Sequence, residues 1–108
     1  MTDNPRFALY GSPYTVYMAS KMDDGESFVA SVVGRCCESG DILQENVTLT
    51  KNIKRGDLVA CLTTGAYHYS MSSNYNRLTR PPVVMLSGGK SYIAVKRETV
   101  EHLTALEV

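Results

Sequence analysis

Neither sign of charge is in excess in this chain, and no apolar run is long. Lysine plus arginine equals aspartate plus glutamate at 11 each, and the basic residues are scattered. That excludes a nucleic-acid surface, which needs a concentrated positive stripe. No apolar stretch approaches membrane-spanning length, and no basic-then-apolar signal segment opens the chain, so the expectation is a cytoplasmic protein with no membrane partner. Cysteine is scarce and odd in number, with three in all. Cys36 and Cys37 are neighbours that would point to opposite faces of a strand and do not easily bridge. The set makes no disulfide framework and lacks the paired spacing of a zinc site. The two histidines, His68 and His102, lie far apart and are expected at solvent or interface positions rather than as ligands. There is no internal repeat and no low-complexity segment.

What is present is a strand pattern. The 108 residues, 44% of them apolar, suffice for one compact domain. FALYG and YTVYM are β-rich runs separated by Gly-Ser-Pro. SFVASVVG (27–34) reads as a strand buried on both faces, and LVACLTT (58–64) as another. NVTLT (46–50) alternates, with Val47 and Leu49 on one side. PVVML and SYIAVK flank Ser87-Gly88-Gly89-Lys90, a hairpin signal. In the tail, Val100, Leu103 and Leu106 fall at helical spacing with Thr99 at the start. Six or seven short strands with one closing helix point to a mainly β fold, an antiparallel sandwich or Greek-key barrel-like domain with a short C-terminal helix.

Two stretches break the strand pattern. One is RCCESGDIL (35–43). A plain turn needs its glycine and an aspartate, but not a cysteine beside a glutamate. Either Cys37 packs while Glu38 caps a turn, or the thiol exchanges a proton beside a carboxylate that fixes an amino group by charge. The other is the polar segment 64–82, which carries Tyr67, Tyr69 and Tyr75 among serines and asparagines. Tyrosine joins an apolar ring to one directed hydroxyl, which suits a pocket or an interface. Three short matches carry nothing further. Arg55-Gly56-Asp57 is ordinary turn chemistry, Asn46-Val47-Thr48 lacks any secretory context, and Ser39 lacks the glycine pattern of a hydrolase elbow.

Taken together, CCESGDIL, GDLVACLTTGAYHYSMSSNYNRLTRPPVVML and KRETVEHLTALEV resemble the C-terminal domain of the diaminopimelate decarboxylase family, pyridoxal-phosphate enzymes of the alanine-racemase-like fold class. NPRFALYG is similar to that family's Arg-Pro-x-x-Tyr-Gly segment, with Phe7 where proline is usual and with Arg6 and Tyr10 in place. The resemblance implies that Cys37 donates a proton at the substrate's α-carbon and that Glu38 binds the distal amino group. It further implies that Tyr67 contacts the cofactor phosphate and the substrate, and that Arg6 and Tyr10 hold the distal carboxylate of diaminopimelate. Cys36 is read as packing.

The same resemblance implies the chemistry and the partners. The cofactor draws off the electron pair left by the departing carboxylate, and a thiol that is largely protonated near neutrality can return the proton. Residues 37 and 38 reach across a homodimer interface into the partner subunit's site. The cofactor-binding lysine belongs to a preceding (β/α) barrel, and such barrels take roughly 250 residues. Residues 1–108 are therefore expected to be a single C-terminal β domain, inactive alone, whose partners are its own N-terminal barrel, a second subunit and a small amino-acid substrate. Two alternatives stand beside this: a sister decarboxylase acting on ornithine, arginine or carboxynorspermidine, and a free-standing β-barrel binding or dimerisation module.

Overall fold

A computed structural model describes residues 1–21 and 25–108 of the chain. In chain order the elements are α1 (Arg6–Tyr10), β1 (Val16–Met18), β2 (Ser27–Val33), β3 (Ile42–Thr50), β4 (Val59–Cys61), α2 (His68–Met71), a 3-10 turn (Tyr75–Arg77), β5 (Val83–Ser87), β6 (Lys90–Val95) and α3 (Val100–Thr104). The fold is mainly β, as the strand pattern implies. Among the described residues the strands pair two by two, all antiparallel: β1 with β4, β2 with β3, and β5 with β6. No ladder joins these pairs, so the expected barrel does not close. With only three residues each, β1 and β4 offer little edge on which a further strand could register.

The β2–β3 ladder is the spine. Phe28 faces Leu49 and Ala30 faces Val47, and a register shift follows between Ala30 and Val32. Asn46 lies opposite that shift with a left-handed φ of 56°, a conformation asparagine tolerates better than most residues. Val47 and Leu49 are buried, as their alternation requires. The β5–β6 hairpin also forms as its turn residues dictate, with Gly88 at φ 56° and Gly89 at φ 72°, the paired positive values of a two-residue hairpin loop.

Three expectations are corrected. The FALYG run is helix, not strand. Pro5 sets the N-terminal end, Ala8 and Leu9 favour helix, and Gly11 closes the turn in a left-handed conformation with its N–H donated to Phe7 O. SFVASVVG is a strand but is not buried on both faces, since Val29 and Val33 are exposed. LVACLTT is only partly covered, with Leu58 and Leu62 exposed. In both strands the physical reason is the same: each pairs along one edge, and among the described residues nothing covers these side chains.

The domain is also less compact than its length suggests. It exposes 7943 Å², against ~5,900 Å² for a monomer of this mass. Its radius of gyration is 15.7 Å, where about 13 Å is usual. Among the described residues the buried apolar side chains include Tyr14, Val47 and Leu49, accompanied by the buried polar residues Thr2, Asp41, Thr50 and His68. At the tail, Thr99 and His102 form the helix-start pair, with the Thr99 N–H donated to His102 Nδ1 at 2.9 Å. Val100 on α3 and Leu106 just beyond it are exposed.

Candidate active-site surface

The cysteine–glutamate stretch is the loop between β2 and β3, and Asp41 organises it. Its backbone carbonyl accepts from Gly34 N–H at 2.7 Å, and its own N–H donates to Glu38 O at 3.1 Å. The Asp41 side chain is buried and accepts the Cys36 N–H at 2.8 Å. Gly34 must be glycine, because a Cβ there would overlap the Asp41 carboxylate. Cys36 is half-buried, and its thiol pKa is raised by that burial and by the hydrogen bond to Asp41. Its backbone N–H ties it to the loop's anchor.

This anchoring turns the next two side chains outward. Cys37 is exposed. Glu38 Oε1 accepts from Gly40 N–H at 3.1 Å and from the Ser39 hydroxyl at 3.3 Å. Its other oxygen accepts from the Tyr75 hydroxyl at 3.4 Å. The Gly40 N–H, then the Ser39 and Tyr75 hydroxyls, push the Glu38 pKa down. The Tyr75 pKa is raised, chiefly by the Glu38 charge, with Cys36 and Cys37 adding to it. A fixed anionic carboxylate thus stands beside an exposed thiol, with a phenol alongside both.

A second cluster lies at the N-terminal side. Arg6 donates through its guanidinium to Thr63 O at 3.2 Å and to Ser12 Oγ at 2.7 Å, and the same group lies 5.1 Å from the centre of the Tyr14 ring. Tyr10 is exposed at the end of α1. Tyr14 is tied to the spine by its N–H, which donates to Gln44 Oε1 at 2.7 Å. Its hydroxyl meets His68 Nε2 at 2.6 Å. His68 was expected at the surface; it is 4% exposed, because Tyr14 satisfies the imidazole inside the fold. Tyr67, immediately before it, is 74% exposed and holds a positive φ of 69°.

The stretch after α2 is stapled by Arg80. Its guanidinium donates to Ser72 Oγ at 2.8 Å, Asn74 Oδ1 at 2.9 Å and Glu98 Oε1 at 3.2 Å, and its backbone N–H donates to Glu98 Oε2 at 2.9 Å. Tyr75, next to Asn74, is carried by this network.

The structure therefore gathers Cys37 and Glu38 with Tyr75, and Arg6 with Tyr14 and His68 close to Tyr67. Among the described residues no hydrogen bond joins the two groups directly. Asp41 and Tyr14 are supporting residues that motif reading did not single out; His68 was read only as a solvent or interface position, and Tyr75 only as one of the loop tyrosines. Their only sequence signal was membership of the two stretches that broke the strand pattern, or a tyrosine next to a turn. Among the described residues no group of three His, Cys, Asp or Glu side chains could hold a metal ion, and no helix is long and apolar enough to cross a membrane.

Comparison with known proteins decides the family. Residues 1–65 match the family described as pyridoxal-dependent decarboxylase, C-terminal sheet domain. The chain belongs to this family. This decarboxylase domain is 48% identical over all 108 residues to the diaminopimelate decarboxylase of Actinosynnema pretiosum and 44% identical to that of Bacillus subtilis. It spans 24% of the length of each of these relatives. Among solved structures it is similar to the diaminopimelate decarboxylase of M. jannaschii, with a TM-score of 0.91 at 32% identity, covering all of this chain and 24% of that one. It is likewise similar to the Helicobacter pylori diaminopimelate decarboxylase complexed with L-lysine, with a TM-score of 0.88 at 32% identity, over 99% of this chain and 26% of that one.

Proposed function

We propose that this decarboxylase domain is the C-terminal part of a diaminopimelate decarboxylase, which converts meso-2,6-diaminopimelate to L-lysine with pyridoxal phosphate. The observation that carries this reading is the fixed, exposed Cys37–Glu38 pair, in a domain whose whole length aligns with diaminopimelate decarboxylases. The chain covers about a quarter of those relatives, 24%. The barrel with the cofactor-binding lysine is assigned to the remainder.

The residues present suit one edge of a pyridoxal-phosphate site. Tyr67 is exposed, and its hydroxyl has no hydrogen-bond partner among the described residues, so it is available to donate to a phosphate. Lys21 and Lys51 are paired with Asp57 and Glu26, in keeping with a cofactor lysine supplied from the barrel. When bound, pyridoxal phosphate accepts the electron pair left at the α-carbon as carbon dioxide departs.

This chain's residues do the rest. Cys37 delivers a proton to the α-carbon. Glu38, kept anionic by Gly40, Ser39 and Tyr75, holds the distal ammonium by charge. Arg6 spends three of its five donors on Thr63, Ser12 and Pro13, and with Tyr10 it holds the distal carboxylate. A substrate lacking the second amino-acid end leaves these charges unpaired, which is the basis of selectivity.

The division of the site into two clusters supports a homodimer in which Cys37 and Glu38 serve the partner's site. The exposed outer faces of β2 and β4 support a sandwich or Greek-key arrangement completed by the rest of the protein. A cytoplasmic location is consistent with an amino-acid biosynthetic role.

The test is carbon dioxide release by the intact protein offered meso-diaminopimelate, ornithine, arginine and carboxynorspermidine separately. Release from diaminopimelate alone is expected. Preference for one of the other three would move the assignment to a sister decarboxylase. No release from any of them would favour a binding or dimerisation module.

A further inference from the structure

Tyr14 and His68 are both buried, at 7% and 4% exposure, and neither belongs to the set of residues expected to touch substrate. Their rings lie 5.5 Å apart at 51°, with the hydroxyl 2.6 Å from Nε2. The other imidazole nitrogen, Nδ1, is 2.7 Å from Ala66 O. A carbonyl oxygen only accepts, so Nδ1 carries the proton. The Tyr14 oxygen already accepts the Arg6 backbone N–H at 3.1 Å. Among the described residues its own proton has no acceptor other than Nε2, so the hydroxyl donates there and the imidazole is the neutral Nδ1–H tautomer. Every donor and acceptor role is thereby fixed, from the first residue of α1 to the peptide just before Tyr67.

That peptide needs holding. Tyr67 is a bulky residue at a positive φ, a conformation that persists only where its surroundings impose it. Its own ring is largely exposed and anchors little. Its carbonyl accepts from the Met71 N–H at 2.9 Å and the Ser70 hydroxyl at 2.7 Å, and the residues on either side are held through the Ala66 carbonyl and the buried His68 ring.

We propose that Tyr14 and His68 form a positioning pair that fixes the separation between Tyr67 and the Arg6 helix, and with it the length of substrate the site accepts. This inference rests on the reading of Tyr67 and Arg6 as substrate contacts. Gln44 carries the pair's position back to β3, so the gauge is referenced to the most extensive ladder in the domain.

The experiment uses the intact protein. Tyr14→Phe keeps the ring and removes the hydroxyl. It is expected to raise KM for meso-diaminopimelate about 10-fold while kcat stays within about threefold. A merely structural defect would lower the active fraction, hence kcat, and leave KM alone. His68→Gln, whose amide oxygen can accept from Tyr14, is expected to retain tighter substrate binding than His68→Leu. That comparison stands even if Tyr14→Phe folds poorly. Independently of activity, nitrogen-15 resonances of histidine-labelled protein are expected to report the Nδ1–H tautomer for His68. An unchanged KM in Tyr14→Phe, equal KM values for the two His68 variants, or an Nε2–H or doubly protonated ring at neutral pH would overturn the pair. Wild-type protein that leaves diaminopimelate untouched would overturn the functional reading and the positioning role with it. The tautomer would then still report separately whether the hydrogen-bonded pair exists.

Discussion

Tyr75 and Glu38, separated by 37 positions in the sequence, meet through a hydroxyl-to-carboxylate hydrogen bond of 3.4 Å. With Gly40 and Ser39 it keeps Glu38 charged and aimed. In the intact protein, Glu38→Gln is expected to weaken diaminopimelate binding by roughly 10- to 100-fold, as loss of a charged hydrogen bond does, with cofactor uptake unchanged. Tyr75→Phe should give a smaller loss of the same kind. Steady-state KM and spectrophotometric cofactor titration measure both, and unaltered KM in Glu38→Gln would remove Glu38 from the substrate.

Cys37→Ala is expected to lower kcat by ~10²–10⁴-fold, the usual contribution of a general acid, with far less effect on KM. Activity within a few-fold of wild type would return Cys37 to a packing role.

Gly34→Ala should destabilise the domain by about 1–3 kcal/mol, as overpacking against a fixed group does, because the new methyl would overlap the Asp41 carboxylate. Gly40→Ala is the control: its Cβ would lie 3.6 Å from Glu38 Oε1, an ordinary contact, and little change is expected. Urea unfolding midpoints of the two variants should differ clearly, and equal midpoints would show that Asp41 yields.

Acid should weaken the fold through carboxylates whose folded pKa is depressed. Asp57 is lowered first by its hydrogen bond from Lys21, and Glu98 is lowered by the Arg80 N–H first and then by Asn74 and the Arg80 guanidinium. A folded pKa below the unfolded value means that their stabilisation is fully present above the ordinary carboxylate range and is lost as pH falls through the folded pKa. Melting temperature should therefore be flat near neutrality and drop below about pH 4. Glu98→Gln should make the acid limb shallower; an identical limb would show that Glu98 contributes nothing to it.

Two inactive intact variants offer a test of the dimer. One lacks the barrel lysine and the other carries Cys37→Ala with Glu38→Gln. Mixing them should restore part of the activity, below wild type, because only mixed dimers hold one whole site. Subunit exchange confirmed by mass with no recovery would mean that the loop serves its own subunit.

What was legible in the sequence was what neighbours in sequence decide. Gly88-Gly89 dictates its hairpin, and Val47 and Leu49 declare the buried face of β3, since a two-residue period admits no other side. Phe7 to Tyr10 misled because aromatic and branched-chain content suggested strand, whereas Pro5 and Gly11 at the two ends fix a helix. Cys37 and Glu38 were visible as residue types out of place in a turn. Their supports were not: Tyr75 comes from a distant loop, and the partner that buries His68 lies 54 positions away. Barrel closure failed for a related reason, since alternation shows that a face is apolar but not which part of the protein covers it.

Leu86 at 80% exposure and Ile93 at 64%, on a domain whose described residues bury few apolar side chains, carry a thermodynamic consequence. Chain entropy on this scale is not offset by so small an interior, so folding here is linked by mass action to whatever binds the native surface. Melting measured on these residues alone should move with protein concentration and with added partner. A substitution on the β5–β6 hairpin should then register as a changed association constant before it registers as local unfolding.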